Sequence, residues 1–168
     1  FLFVVTDAVA PKSYTLAVGE SEYATLFLDF NAAIPTNVKA YTVTAVNDGY
    51  VTLTQVTGVL PANTGVIVNA TKGDYAFAYS ADEAADVAGN LLKGSVADEN
   101  IEGEAYVLGV VDGEVGLYKA LANGTSWLNN ANKAYLPATA ANGAASYSFR
   151  FGEGTTAIEN VEVENEVK

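Results

Sequence analysis

Twenty aspartates and glutamates face eight lysines and arginines in this 168-residue chain, and histidine and cysteine are both absent. The commonest general base, the usual catalytic metal ligand and the thiol nucleophile are thereby missing together. No Ser-x-x-Lys dyad, Gly-x-Ser-x-Gly elbow or phosphate-cradling Gly-x-x-x-x-Gly-Lys loop occurs. Paired carboxylates alone can cleave a glycosidic bond, so a glycosidase is the one enzyme class left open. Asp29, Asp48, Asp74 and Asp112 sit beside strand ends and turns, where turn formation accounts for them. The expectation is a chain that is not an enzyme, with no catalytic residue and no cofactor.

Oxygen ligands could hold calcium, and Asn47, Asp48 and Asp112 are the nearest candidates. They precede glycines at turns and form no Asp-x-Asp-x-Asp-Gly loop, so no metal is expected. The sole tryptophan, Trp127, stands in the polar stretch Asn123-Gly-Thr-Ser-Trp-Leu-Asn-Asn130. A flat ring there could stack on a sugar while the amides of Asn129 and Asn130 bond its hydroxyls. The plainer reading has Trp127 capping the end of the core, its N–H satisfied at the rim. Arg150, the only arginine, reads as a surface partner for an acid. The opening residues Phe1, Leu2, Phe3, Val4 and Val5 are apolar on both faces, which suits a strand buried between others. They either pair within their own domain or insert into a neighbouring copy to build a filament.

The elements that must position these residues are strands. From Tyr23 to Phe30 large and small residues alternate, which places Ala24, Leu26, Leu28 and Phe30 on a core face opposite Tyr23, Thr25, Phe27 and Asp29. Tyr41–Val46, Asn47-Asp48-Gly49 and Tyr50–Thr54 spell a hairpin, as do Val107–Val111, Asp112-Gly113 and Val115–Lys119. The two hairpins begin an internal duplication: each opens on Ala-Tyr and turns at Asp-Gly. Each is followed by an Ala-Asn motif (Ala62–Ile67, Ala131–Leu136) and an aromatic ladder, Tyr75-x-Phe77-x-Tyr79 or Tyr147-x-Phe149-x-Phe151. The ladders are expected in the core. Two facing antiparallel halves of a β-sandwich follow, with one short helix at Ala81–Ala88 capped by Ser80. Residues 1–12 form the N-terminal strand or donor-like segment, 13–152 the sandwich, and 153–168 a Glu-rich tether or edge strand.

Half of the residues are apolar, enough for a folded core. A formal charge of −12 repels phosphate backbones and argues against nucleic acid as a partner. No run reaches the roughly 20 apolar residues of a membrane helix. The chain lacks methionine and starts at Phe1, without a basic segment or long apolar run like that of a signal peptide. The expectation is a piece cut from a longer precursor.

Several short motifs arrive in order: Tyr23–Phe30, Ile34-Pro35, Val38–Tyr41, Leu60–Val66, Asn90-Leu-Leu-Lys-Gly94, Tyr106–Gly109, Gly116–Lys119 and Ala131–Pro137. Together they resemble a β-rich module near the C-termini of secreted Bacteroidetes cell-surface proteins, over about residues 13–160. In that family a segment like Phe149-Arg-Phe151 and Thr156–Asn160 leads into a type IX secretion sorting signal. The resemblance implies an extracellular or outer-membrane surface location. It also implies an accessory role in adhesion or spacing, with protein, glycan or the chain itself as partner. It assigns no catalytic residue. A filament subunit joined through Phe1–Val5 and a carbohydrate-binding module using Trp127 are the alternatives.

Overall fold

The computed structural model describes residues 12–120 and 125–152, and the chain is all-β. Phe1–Val5 and the Glu-rich residues 153–168 lie outside the described residues. Strand β1 (Ser13–Val18) leads into β2 (Tyr23–Leu26), β3 (Ala32–Ala33), the hairpin β4 (Lys39–Asn47) and β5 (Tyr50–Val56), β6 (Val59–Leu60), β7 (Val66–Asn69) and β8 (Gly73–Tyr79). A second series follows: β9 (Lys93–Ser95), β10 (Glu99–Glu102), the hairpin β11 (Ala105–Val111) and β12 (Glu114–Lys119), β13 (Ser126–Asn129), β14 (Lys133–Pro137) and β15 (Ser146–Phe151). One 3-10 turn spans Ala138–Ala140.

Both expected hairpins form. Asp112 and Gly113 both have positive φ, 53° and 83°, as the tight turn of β11–β12 requires. The β4–β5 turn reverses on Gly49 alone (φ 81°), and this hairpin carries an extra residue, Thr44, as a bulge.

The halves are repeats, and they lie side by side. One sheet runs β2-β7-β4-β5-β15-β12-β11-β14-β9, so four strands of each half flank β15. Every pairing in it is antiparallel except β15 with β5. The sheet curls until β14 meets β2: Phe27 N donates to Asn132 O (3.1 Å), Asn132 Nδ2 to Phe27 O (2.9 Å) and Ala134 N to Thr25 Oγ1 (3.1 Å). The enclosed core holds Tyr41, Val43, Leu53, Ile67, Tyr106, Leu117, Leu136 and Tyr147, with Phe149 and Phe151 packed against them. A second layer, the four-stranded sheet β1-β8-β3-β6, covers the outer face of the first half. Leu16, Leu26, Leu60, Val66, Val68 and Phe77 form the core between these layers.

Strand pairing extends the repeat well beyond the hairpins. β2 pairs β7 as β9 pairs β14; β3 pairs β6 as β10 pairs β13; β4 joins β5 and β7 as β11 joins β12 and β14. Asn63 and Asn132 occupy the same left-handed turn, with φ 57° and 63°. Asn63 N donates to Leu28 O as Asn132 N does to Ser95 O. Ala62 N donates to Asn31 Oδ1 as Ala131 N does to Asp98 Oδ1.

Four expectations change in detail. The helix at Ala81–Ala88 does not form: Ser80 Oγ accepts from Asp82 N, Asp86 Oδ1 from Ala88 N, and Ala85 N donates to Val59 O. Side chains that hook their own backbone compete with the helix, and Ala85 and Val87 instead pack on the core from an irregular segment. The outer face of the Tyr23–Phe30 segment is covered in part, since Tyr23 packs on Phe149 (5.5 Å) and Thr25 bonds β14, while Asp29 stays exposed. In the first aromatic ladder Phe77 is buried, but Tyr79 is half exposed. Arg150 lies 3.7 Å over the Tyr50 ring, a cation–π contact where an acid was expected.

Candidate ligand cleft

Strand alternation gives β13 two faces: Trp127 and Asn129 share one, Ser126 and Leu128 the other. On β14, Lys133 and Tyr135 alternate with Ala134 and Leu136, and Leu136 belongs to the enclosed core. Trp127 stands edge-to-face against Tyr135, with centroids 5.3 Å apart and planes at 88°. The pair therefore packs on the outside of the curled sheet. The indole is only partly buried as a residue, but its Nε1 is buried without a hydrogen-bond partner. The rim that was expected to satisfy that N–H does not do so among the described residues.

Asn129 is 3% exposed. Its Nδ2 donates to Ser95 Oγ (3.0 Å) and to the Lys133 carbonyl (3.1 Å), which ties β13 to β9 and β14. Asn130 is exposed at the turn, where its carbonyl accepts from Lys133 N (3.2 Å). These residues, with Lys119 and Lys133, line a cleft of about 590 Å³ at the seam where β14 meets β2. Burial pushes the Lys133 ammonium below the ordinary lysine pKa, and burial followed by the nearby Glu99 charge pushes the Tyr135 phenol up. A smaller cleft of about 340 Å³ opens on the Tyr135 side, lined by Glu102, Glu104 and Pro137.

The structure places Trp127, Asn129 and Asn130 in the lining of one cleft. It adds Lys119 and Lys133 to that cleft and sets Tyr135 against Trp127, residues that sequence reasoning did not select. Asn47 and Asp48 close one hairpin and Asp112 the other. No group of three or more acidic side chains gathers among the described residues.

The missed residues had a signal, namely comparison of the repeats position by position. Strand registers align Leu60 with Asn129, Leu28 with Ser95, Thr64 with Lys133, Val66 with Tyr135, Gln55 with Lys119 and Ala32 with Glu99. Leu28, Ala32, Leu60 and Val66 are core residues, each at most 1% exposed. The same scaffold positions that close an apolar core in the first repeat carry amide, hydroxyl, phenol and carboxylate in the second.

What the cleft can do follows from these groups. The Trp127 ring gives an apolar face, the Asn130 amide offers a donor and an acceptor, and two ammoniums offer further donors. These are groups that can stack on and hydrogen-bond to a hydroxylated ligand. Comparison of the chain with protein-family models, curated proteins and solved structures returns no match, so this reading stands on the geometry alone.

Proposed function

We propose that this chain is a non-catalytic accessory module of a secreted surface protein, and that it adheres to saccharide through the cleft beside Trp127. One observation carries the reading: four apolar core positions of the first repeat are polar or phenolic in the second, and one of them, Asn129, lines an open cleft beside Trp127. Folding does not demand that exchange, because the first repeat closes the same strand pattern over an apolar core. Burying amides and hydroxyls in place of leucine gives up apolar burial worth about 1.5–3 kcal/mol per side chain. A cleft of several hundred cubic ångströms, with an aromatic wall and a few polar groups, has the makings of a small-ligand site. The carboxylate pair of a glycosidase is not among the cleft's lining residues, which favours binding over cleavage.

The test is isothermal titration of a panel of neutral and acidic oligosaccharides against the protein and its Trp127→Ala variant. At least one saccharide is expected to bind, and Trp127→Ala should abolish binding while far-UV circular dichroism stays unchanged. No binding across the panel, or full binding by the variant, would remove the adhesive role. A spacer without a ligand would then remain.

A further inference from the structure

The cleft's cations single out a class of saccharide. Lys119 and Lys133 both line it, and none of its lining residues is an aspartate or glutamate. That is a local inversion in a chain whose formal charge is −12. The Lys133 ammonium has no carboxylate within 4.0 Å among the described residues. The Lys119 ammonium touches only Glu104, at 3.8 Å across an exposed surface, a contact worth little in water. Glu99 lies on the neighbouring strand β10, opposite Asn129 in register, and lines neither cleft. A half-buried ammonium without a counter-charge is costly, and a bound anion relieves that cost. Lys133 corresponds to Thr64 of the first repeat and Lys119 to Gln55, so both cations belong to the second repeat alone.

We propose that the ligand of this cleft is an acidic saccharide, its anionic substituent held by Lys133 with Lys119 as a second contact and its ring plane set against Trp127. The inference rests on the saccharide reading above and narrows it. A carboxylate on the sugar and a sulfate on the sugar present the same chemistry to two ammoniums. The geometry of the cleft does not prefer one.

The experiment is titration of the 168-residue chain with three probes: an oligogalacturonate, its fully methyl-esterified neutral form, and a sulfated oligosaccharide. The acidic probes should bind at least about tenfold more tightly than the ester, as loss of one charge-assisted contact implies. Whichever acidic probe binds more tightly identifies the anion. Raising the salt should weaken acidic binding. Lys133→Gln should cost about tenfold and Lys133→Arg should recover most of it, with Lys119→Gln giving a smaller loss. If the ester binds as well as the acid, or if Lys133→Gln changes nothing while Trp127→Ala abolishes binding, the acidic class is overturned and the saccharide reading survives. If no probe and no neutral saccharide binds, both fall together.

Discussion

The two repeats share their strand pairings up to the last strand, and there they part. In the first repeat β8 turns back to pair β3 and, with β1, builds a four-stranded sheet. That sheet packs Leu16, Leu60 and Phe77 against Leu26 and Val66 of the large sheet. In the second repeat β15 leaves its own half and enters the seam, parallel to β5 and antiparallel to β12. Among the described residues the β10–β13 ribbon is left two-stranded. One strand's destination therefore separates an apolar core from a polar cleft. A duplicated fold can spare the second set of core positions because the first repeat and the shared interior supply the burial.

The sharpest way to break this comparison is to exchange equivalent residues. Leu60→Asn places an amide in the fully buried site between the two sheets, and should cost about 3 kcal/mol or more, adding lost burial to an unpaired polar group. Asn129→Leu should cost about 1 kcal/mol, because only its bonds to Ser95 and Lys133 are lost while apolar volume is gained. Urea unfolding of both variants checks the asymmetry. Equal costs would mean that the second site is as much a core as the first.

The seam strand offers the next test. A Cβ on Gly116 would stand 2.5 Å from the Tyr147 carbonyl of β15, whereas one on Gly109 would meet only the Tyr118 ring at 3.2 Å. Backbone cannot move as a ring can, so Gly116→Ala should cost about 2 kcal/mol and Gly109→Ala well under 1. The first repeat carries Thr52 at the position equivalent to Gly116. Similar melting temperatures for the two glycine variants would contradict a tight seam.

Alkaline pH probes the interior on the second repeat's side. Tyr106 donates to the Ala144 carbonyl (2.6 Å), and its pKa is raised by burial first, then by Tyr147 and Glu104. The neutral phenol is the form the fold prefers. Above pH ~10 the unfolded chain sheds a proton that the folded chain keeps, so stability should hold below that point. It should then fall as pH climbs through the raised folded value. Tyr106→Phe should cost about 1 kcal/mol at neutral pH and flatten part of that decline, as denaturant midpoints at pH 8 and above pH 10 would reveal. Tyr135, raised in the same direction, accounts for some of what remains.

Turn chemistry and residue type made half of this readable from the chain alone. Asp112-Gly113 and Gly49 announced the hairpins, and Ala62–Ile67 against Ala131–Leu136 announced the repeat, because a left-handed Asn and a strand's alternation are local properties. Trp127, Asn129 and Asn130 were legible as a constellation because they are neighbours in sequence. The ladders Tyr75–Tyr79 and Tyr147–Phe151 look alike, yet one builds the outer sheet and the other the seam, a choice made by distant partners. Lys133 was hidden for the same reason: only the fold places it in one cleft with Lys119 and Trp127. The segment 81–88 has helical composition, but its backbone is held by Ser80, Asp86 and the Val59 carbonyl.

The matched turn residues Asn63 and Asn132 give the subtlest test. Each has a positive φ that glycine adopts freely, so replacement by glycine removes the side chain with no strain in the turn itself. Both keep their backbone bonds, to the Leu28 carbonyl and the Ser95 carbonyl. The side chains differ: Asn132 Nδ2 also reaches the Phe27 carbonyl across the junction of β14 and β2. Asn63→Gly should therefore change stability by a few tenths of a kcal/mol, while Asn132→Gly should cost about 1. Amide hydrogen exchange should localise the second effect, with faster exchange at Phe27 and Ala134, whose N–H groups bond across that junction. If the two variants behave alike, the curled sheet is not held closed by this contact, and the seam beside the cleft opens more readily than the rest of the interior.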